Sequence, residues 1–170
     1  MDAVTTCILS NFSLVALWFA LVIALVSVLV RGSSLTAAEE YETFLRYLFL
    51  FPGAFASFYV FLLYGFYPEI VASSLDWASS PFQWEVASGR LAFGILCLFS
   101  LGPSAGFRLA TIIGLTFWLW SSAWGYMLQV SGSEGVVGNE GSIWLCVDFI
   151  FPALMLVFYS AWKRSLAGTQ

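Results

Sequence analysis

The chain has 170 residues, of which 61% are apolar, 19% aromatic and only 9% charged, with six basic against ten acidic side chains and no histidine. Its mean hydropathy is +0.90; soluble domains carry about 25% charged residues, so a soluble globular domain is excluded. The formal charge of −4 belongs to loops, and with no basic patch to neutralise phosphates a nucleic-acid partner is excluded as well.

Five apolar runs, each near the ~20 residues that cross a bilayer as a helix, predict an all-α integral membrane bundle that fills the chain as a single domain. The first span covers Ile8 to Val30 and stops at Arg31-Gly32. The residues before it carry no basic n-region, which favours a retained span over a cleaved signal peptide. Asn11-Phe12-Ser13 matches a glycosylation sequon but falls inside this span, where it is not modified.

The second span covers Phe44 to Tyr64. Thr36-Ala37-Ala38-Glu39 has capping-box spacing, so the helix is expected to begin near Ala37, with Glu39, Glu40 and Glu42 at the positive end of its dipole. In the following loop, Pro68 to Trp77 is a candidate interfacial helix that would sink Ile70, Val71, Leu75 and Trp77 toward lipid. Ser80-Pro81-Phe82-Gln83 announces a third span, Gln83 to Leu101, with serine as cap and proline in the first turn.

A short turn through Gly102-Pro103 and Gly106 leads to the fourth span, Phe107 to Val130, which makes spans three and four antiparallel neighbours. Its aromatic residues Phe117, Trp118, Trp120, Trp124 and Tyr126 suit a flat lipid or, more simply, lipid-facing anchors. Ala110 with Gly114, and Ser121 with Gly125, have the four-residue spacing that lets helices approach closely. The Gly-rich loop Ser131 to Ser142 precedes the fifth span, Ile143 to Trp162, which ends at Lys163-Arg164.

Orientation follows from the basic residues. Arg31 and Arg46 flank the first loop, Arg108 the third, and Lys163-Arg164 the C-terminus, which places these ends in the cytoplasm and the N-terminus outside. The outer loops carry Asp2, Glu69, Asp76, Glu134 and Glu140 without a compensating base, an acidic outer rim. The reading fits a multi-pass protein of the bacterial inner membrane.

Glu85, Arg90 and Asp148 fall inside spans, where a charge costs several kcal/mol unless paired or wetted, and each is a candidate site. At 1.5 Å per residue, Arg90 lies roughly 10 Å and Asp148 roughly 7 Å from the outer ends of their spans, so the two match in depth. Glu85 and Arg90 point some 140° apart on one helix, too far for a good pair. Two readings stand. Arg90 and Asp148 lock span three against span five, or they join Glu85, Gln83 and Gln129 in a polar pocket open to the outside.

Pro52 and Pro152 are expected to kink their helices. The segments around them match at a constant offset, Phe49, Phe51, Pro52, Phe58 and Tyr59 against Phe149, Phe151, Pro152, Phe158 and Tyr159, with Trp18 against Trp118. Broken helices in inverted repeats mark transporters. In a chain with 17 phenylalanines, composition alone is the simpler source of the match. Cys7, Cys97 and Cys146 include no Cys-x-x-Cys pair, so no metal or dithiol centre and no cofactor are expected. Cys7 and Cys146 fall near one membrane face; a disulfide between them is conceivable, with free thiols the default.

From Glu85 to Trp120 the run EVASGRLAFGILCLFSLGPSAGFRLATIIGLTFWLW resembles DoxX-like small membrane proteins: a Glu opening a Gly-containing span, a Gly turn, then Arg-Leu-Ala opening the next. The likeness covers under a quarter of the chain. It implies an accessory subunit of a larger membrane complex and assigns no catalytic residues. The function expected is therefore a small membrane accessory or assembly subunit, with lipid, other membrane subunits or copies of itself as partners. The alternative is a transporter or binding module for a small molecule or lipid at the outer pocket. Enzymatic chemistry lacks its usual residues.

Overall fold

A computed structural model describes residues 11–74, 78, 80–102, 104–132 and 139–168. The described secondary structure is helical throughout. Helix α1, Phe12–Arg31, ends in a 3-10 turn, Gly32–Ser34, where Gly32 takes a φ of 57° open to glycine alone at low cost. Helix α2, Ala37–Leu48, starts at the expected capping box: the Glu39 N–H donates to the Thr36 hydroxyl at 3.3 Å and the Thr36 N–H to the Glu39 carboxylate at 2.8 Å.

Helix α2 runs without a break into α3, Ala56–Phe66, through a wide π-helical turn over Phe49–Phe55. Pro52 sits in that turn. Proline has no N–H for the carbonyl one turn back, and its ring crowds that carbonyl; widening the turn relieves the crowding. Pro152 behaves differently. It lies in α7, Asn139–Ala167, which remains α-helical across it, so the two matched prolines do not share a backbone form.

Helix α4, Pro68–Ser74, falls within the Pro68 to Trp77 segment expected to be helical. Ile70 is exposed, but Val71 and Ala72 are buried against the protein, so Val71 faces inward rather than toward lipid; Leu75, Asp76 and Trp77 lie outside the described residues. Helix α5 is Phe82–Phe99. Its start differs by one position from the sequence expectation, with the Ser80 hydroxyl accepting from Phe82 N–H and the Gln83 side chain accepting from Ser80 N–H. Helix α6 is Ala105–Gly132. Phe107 N–H donates to the Ser104 hydroxyl at its start.

Among the described residues, three helical stretches are long and apolar enough to cross a membrane: Phe12–Arg31, Ala37–Phe66 and Cys146–Ala167. Helix α1 exposes Trp18, Val22, Leu29 and Val30 while burying Ala16, Leu17, Ala20 and Ala24, so its small residues face the bundle and its bulk faces out. Helix α2 packs on α7, where Phe44 and Phe158 stack 3° from parallel at 4.7 Å.

The α3–α5 and α5–α6 contacts are set by glycine. A Cβ at Gly94 would lie 2.8 Å from the Phe58 ring, and one at Gly89 would lie 2.6 Å from the Trp118 ring. Each aromatic side chain fills the space that a missing methyl leaves. Gly89→Ala and Gly94→Ala are each expected to destabilise by about 1–3 kcal/mol, the usual cost of overpacking. Gly125→Ala, where nothing lies within 4 Å of the added atom, is expected to be neutral. Thermal melting in mild detergent distinguishes the sites, and equal melting of the three variants would contradict the packing.

Candidate functional site: two arginines inside the bundle

The sequence places Arg108 at a cytoplasmic helix end as an orienting charge, yet its side chain is 1% exposed. Side chains in a first helical turn point back past the helix start. Here that direction leads into the bundle, where Nε donates to the Ser100 carbonyl at 3.0 Å and Nη2 to the Glu42 carboxylate at 2.9 Å. The guanidinium lies 4.8 Å from the Trp162 ring centre, a cation–π contact. One residue on α6 thereby joins α2, the α5–α6 turn and α7.

The surroundings complete the Arg108 centre. Ser100 donates to Thr111 at 3.0 Å, and the Tyr159 hydroxyl donates to the Ala105 carbonyl at 3.1 Å. Glu42 is also 3.7 Å from the Arg46 Nε, so one partly exposed carboxylate faces an exposed and a buried arginine. Arg108 Nη1 is buried with no hydrogen-bond partner.

Arg90 of α5 and Asp148 of α7, matched in depth along their spans, come together in a second centre. Arg90 Nη2 and Asp148 Oδ1 are 4.0 Å apart, which is an ion pair but too long for a hydrogen bond. Arg90 Nε is buried without a partner. Tyr64 of α3 lies within electrostatic range of both charges. Glu85 is exposed and stands apart from this pair, as its angular offset requires. Gln83 is buried and donates to the Pro68 carbonyl at 3.0 Å, pinning α4 to α5. Gln129 lies on α6 with its side chain outside the described residues.

A shallow cavity of about 280 Å³ opens near these groups, lined by Tyr64 and Gly65 of α3, Pro68 of α4, and Ser80, Gln83 and Trp84. Among the five residues expected in a polar pocket, Gln83 borders it; Glu85, Arg90 and Asp148 do not. Among the described residues no cluster of His, Cys, Asp and Glu could hold a metal ion. Cys97 is buried and Cys146 exposed, both as free thiols; Cys7 lies outside the described residues.

The Arg108–Glu42 tie was missed from sequence, although a signal existed. Arg108 falls in register with the buried stripe Ile112, Leu115, Leu119 and Ala123, at helical spacing, so its side chain belongs to the inward face. Removing either partner has unequal consequences. Glu42→Ala leaves a fully buried arginine without a carboxylate and is expected to cost about 3–5 kcal/mol. Arg108→Met leaves a partly exposed Glu42 that keeps Arg46, and is expected to cost less. Adding Arg108→Met to Glu42→Ala should recover stability; a further additive loss in the melting of the double variant would contradict the tie.

No curated protein and no solved structure matches the chain. A match extends over residues 10–167 to a family of unknown function, DUF6790. That span takes in every described helix and both arginine centres, and on it the chain belongs to the DUF6790 family.

Proposed function

We propose that the protein is a five-span protein of the bacterial inner membrane that serves as an accessory or assembly subunit, binding another membrane subunit or a second copy through α6. In this reading α5 and α6 are the third and fourth spans. Their lengths of 18 and 28 residues suffice. Glu85 and Arg90 on α5, and Trp, Ser and Thr on α6, lower their hydropathy, and the polar groups of α5 are those that the bundle pairs or wets.

The observation that carries the reading is the contrast between two sets of glycines. Gly53, Gly65, Gly89 and Gly94 are each filled by a side chain of this protein, whereas Gly106 and Gly125 on α6 have nothing within 4 Å of where a Cβ would stand. Ala110 and Ser121 are exposed beside them. Small residues facing lipid give no packing to acyl chains, but they let a second helix approach to backbone distance. The resemblance of Glu85 to Trp120 to DoxX-like proteins supports the same class.

Gly125→Leu and Ala110→Leu together are expected to leave melting unchanged while abolishing co-purification or self-association in mild detergent, read by native gels and cross-linking. Identical behaviour of wild type and variant would refute association through α6. For orientation, a cysteine placed after Lys163 should resist an impermeant reagent in intact cells. One placed in the loop after α6 should react; the reverse pattern inverts the topology.

A transport or binding role at the Arg90–Asp148 centre is the second reading, favoured by the unpartnered Arg90 Nε beside a long ion pair. Glu85→Gln separates the two. A structural subunit retains assembly and full function, whereas a transporter stays folded and loses activity.

A further inference from the structure

We infer that the cavity between the outer end of α3 and the start of α5 is a binding site for an organic ammonium group, carried by a lipid headgroup or by a free amine. The cavity, near 280 Å³, lies just below the usual range of ligand pockets and is suited to a headgroup-sized ligand. Its walls include two aromatic rings, Tyr64 and Trp84. Aromatic faces attract cations through their quadrupole and are the usual means of recognising quaternary ammonium.

Tyr64 and Gly65 lie in the last turn of α3, which ends at Phe66, so that wall of the cavity is the negative end of a helix dipole. The start of α5 forms the opposite wall with a positive dipole end, where the Ser80 hydroxyl accepts from Phe82 N–H and the Gln83 side chain from Ser80 N–H, so these donors are already engaged. Next in sequence to the lining residues Pro68 and Trp84 stand Glu69 and Glu85, both exposed, and none of the lining residues is basic. Arg90, whose charge reaches Tyr64 together with the opposing charge of Asp148, is paired with that carboxylate and does not border the cavity. Gln83 holds the floor rather than the ligand: its amide is engaged with Pro68 and Ser80.

The depth suits a headgroup. Trp84 is exposed, as are Phe66, Tyr67 and Phe82, which are next in sequence to lining residues, an aromatic group of the kind found at membrane–water boundaries. Trp84 is held over Gly65, where a Cβ would lie 2.9 Å from its ring, so the aromatic wall is positioned by the backbone beneath it. This inference stands independently of association through α6.

The test uses the full chain purified in a maltoside detergent, with tetramethylammonium chloride titrated against sodium chloride at equal ionic strength. Melting temperature and tryptophan fluorescence are the readouts. A saturable response is expected, weakened about tenfold by Trp84→Ala and severalfold by Glu85→Gln, and unchanged by Trp124→Ala on the exposed face of α6. Nanodiscs resolve the source. If phosphatidylcholine discs suppress the response that phosphatidylglycerol discs retain, the headgroup is the occupant; if both retain it, a free ammonium ion is. No saturable difference from sodium chloride, an equal response in Trp84→Ala, or a response to acetate or phosphate instead would overturn the inference.

Discussion

Burying an arginine is the constraint around which one end of this bundle is arranged. A guanidinium removed from water must be met by acceptors and by a carboxylate, because an unpaired buried charge costs far more than one helix contact returns. Arg108 meets this condition only where α2 brings Glu42, the α5–α6 turn brings the Ser100 carbonyl, and α7 brings Trp162. Segments distant in sequence are therefore fixed at one point. The apolar packing that follows along Leu45, Ile112, Leu115 and Met155 extends from that point, and it is the directional contact rather than the apolar area that selects the arrangement. Lipid is as apolar as leucine, so burial alone discriminates little between one helix packing and another.

The opposite end is held by other means. Glycines let Phe58, Trp84 and Trp118 key α3, α5 and α6 together, and the Arg90–Asp148 contact is looser than the Arg108–Glu42 contact. The tighter end at Arg108 and the more open end at Arg90 agree with where the cavity lies.

Much of the secondary structure was legible because helix starts and stops are local. Thr36 and Glu39 cap their own helix, Gly32 ends one, and Ser80 with Gln83 opens another within a residue of the expected place. The depth match of Arg90 and Asp148 was legible because rise per residue is nearly constant. Less accessible were features that depend on neighbours. Arg108 looked like a boundary charge because sequence gives its position along the helix axis, while its burial is decided by Glu42 and Trp162 on other helices. Val71 looked lipid-facing because the pattern shows an apolar face but not what covers it. Pro52 and Pro152 sit in matching sequence and take different backbone forms, since a proline can be accommodated by widening a turn or within a regular helix according to its surroundings.

The central claim is that Arg108 acts as an interhelical fork and not only as a charge at a helix end, and Arg108→Lys tests it most directly. Lysine keeps the positive charge that orientation requires, but it lacks the planar fork that reaches Ser100 and Glu42 together and lies over Trp162. The measurement is thermal melting of Arg108→Lys beside wild type, with topology verified by impermeant labelling. The account predicts unchanged topology with a clear loss of stability. Melting indistinguishable from wild type would show that the charge alone is needed at this position, and would contradict the account.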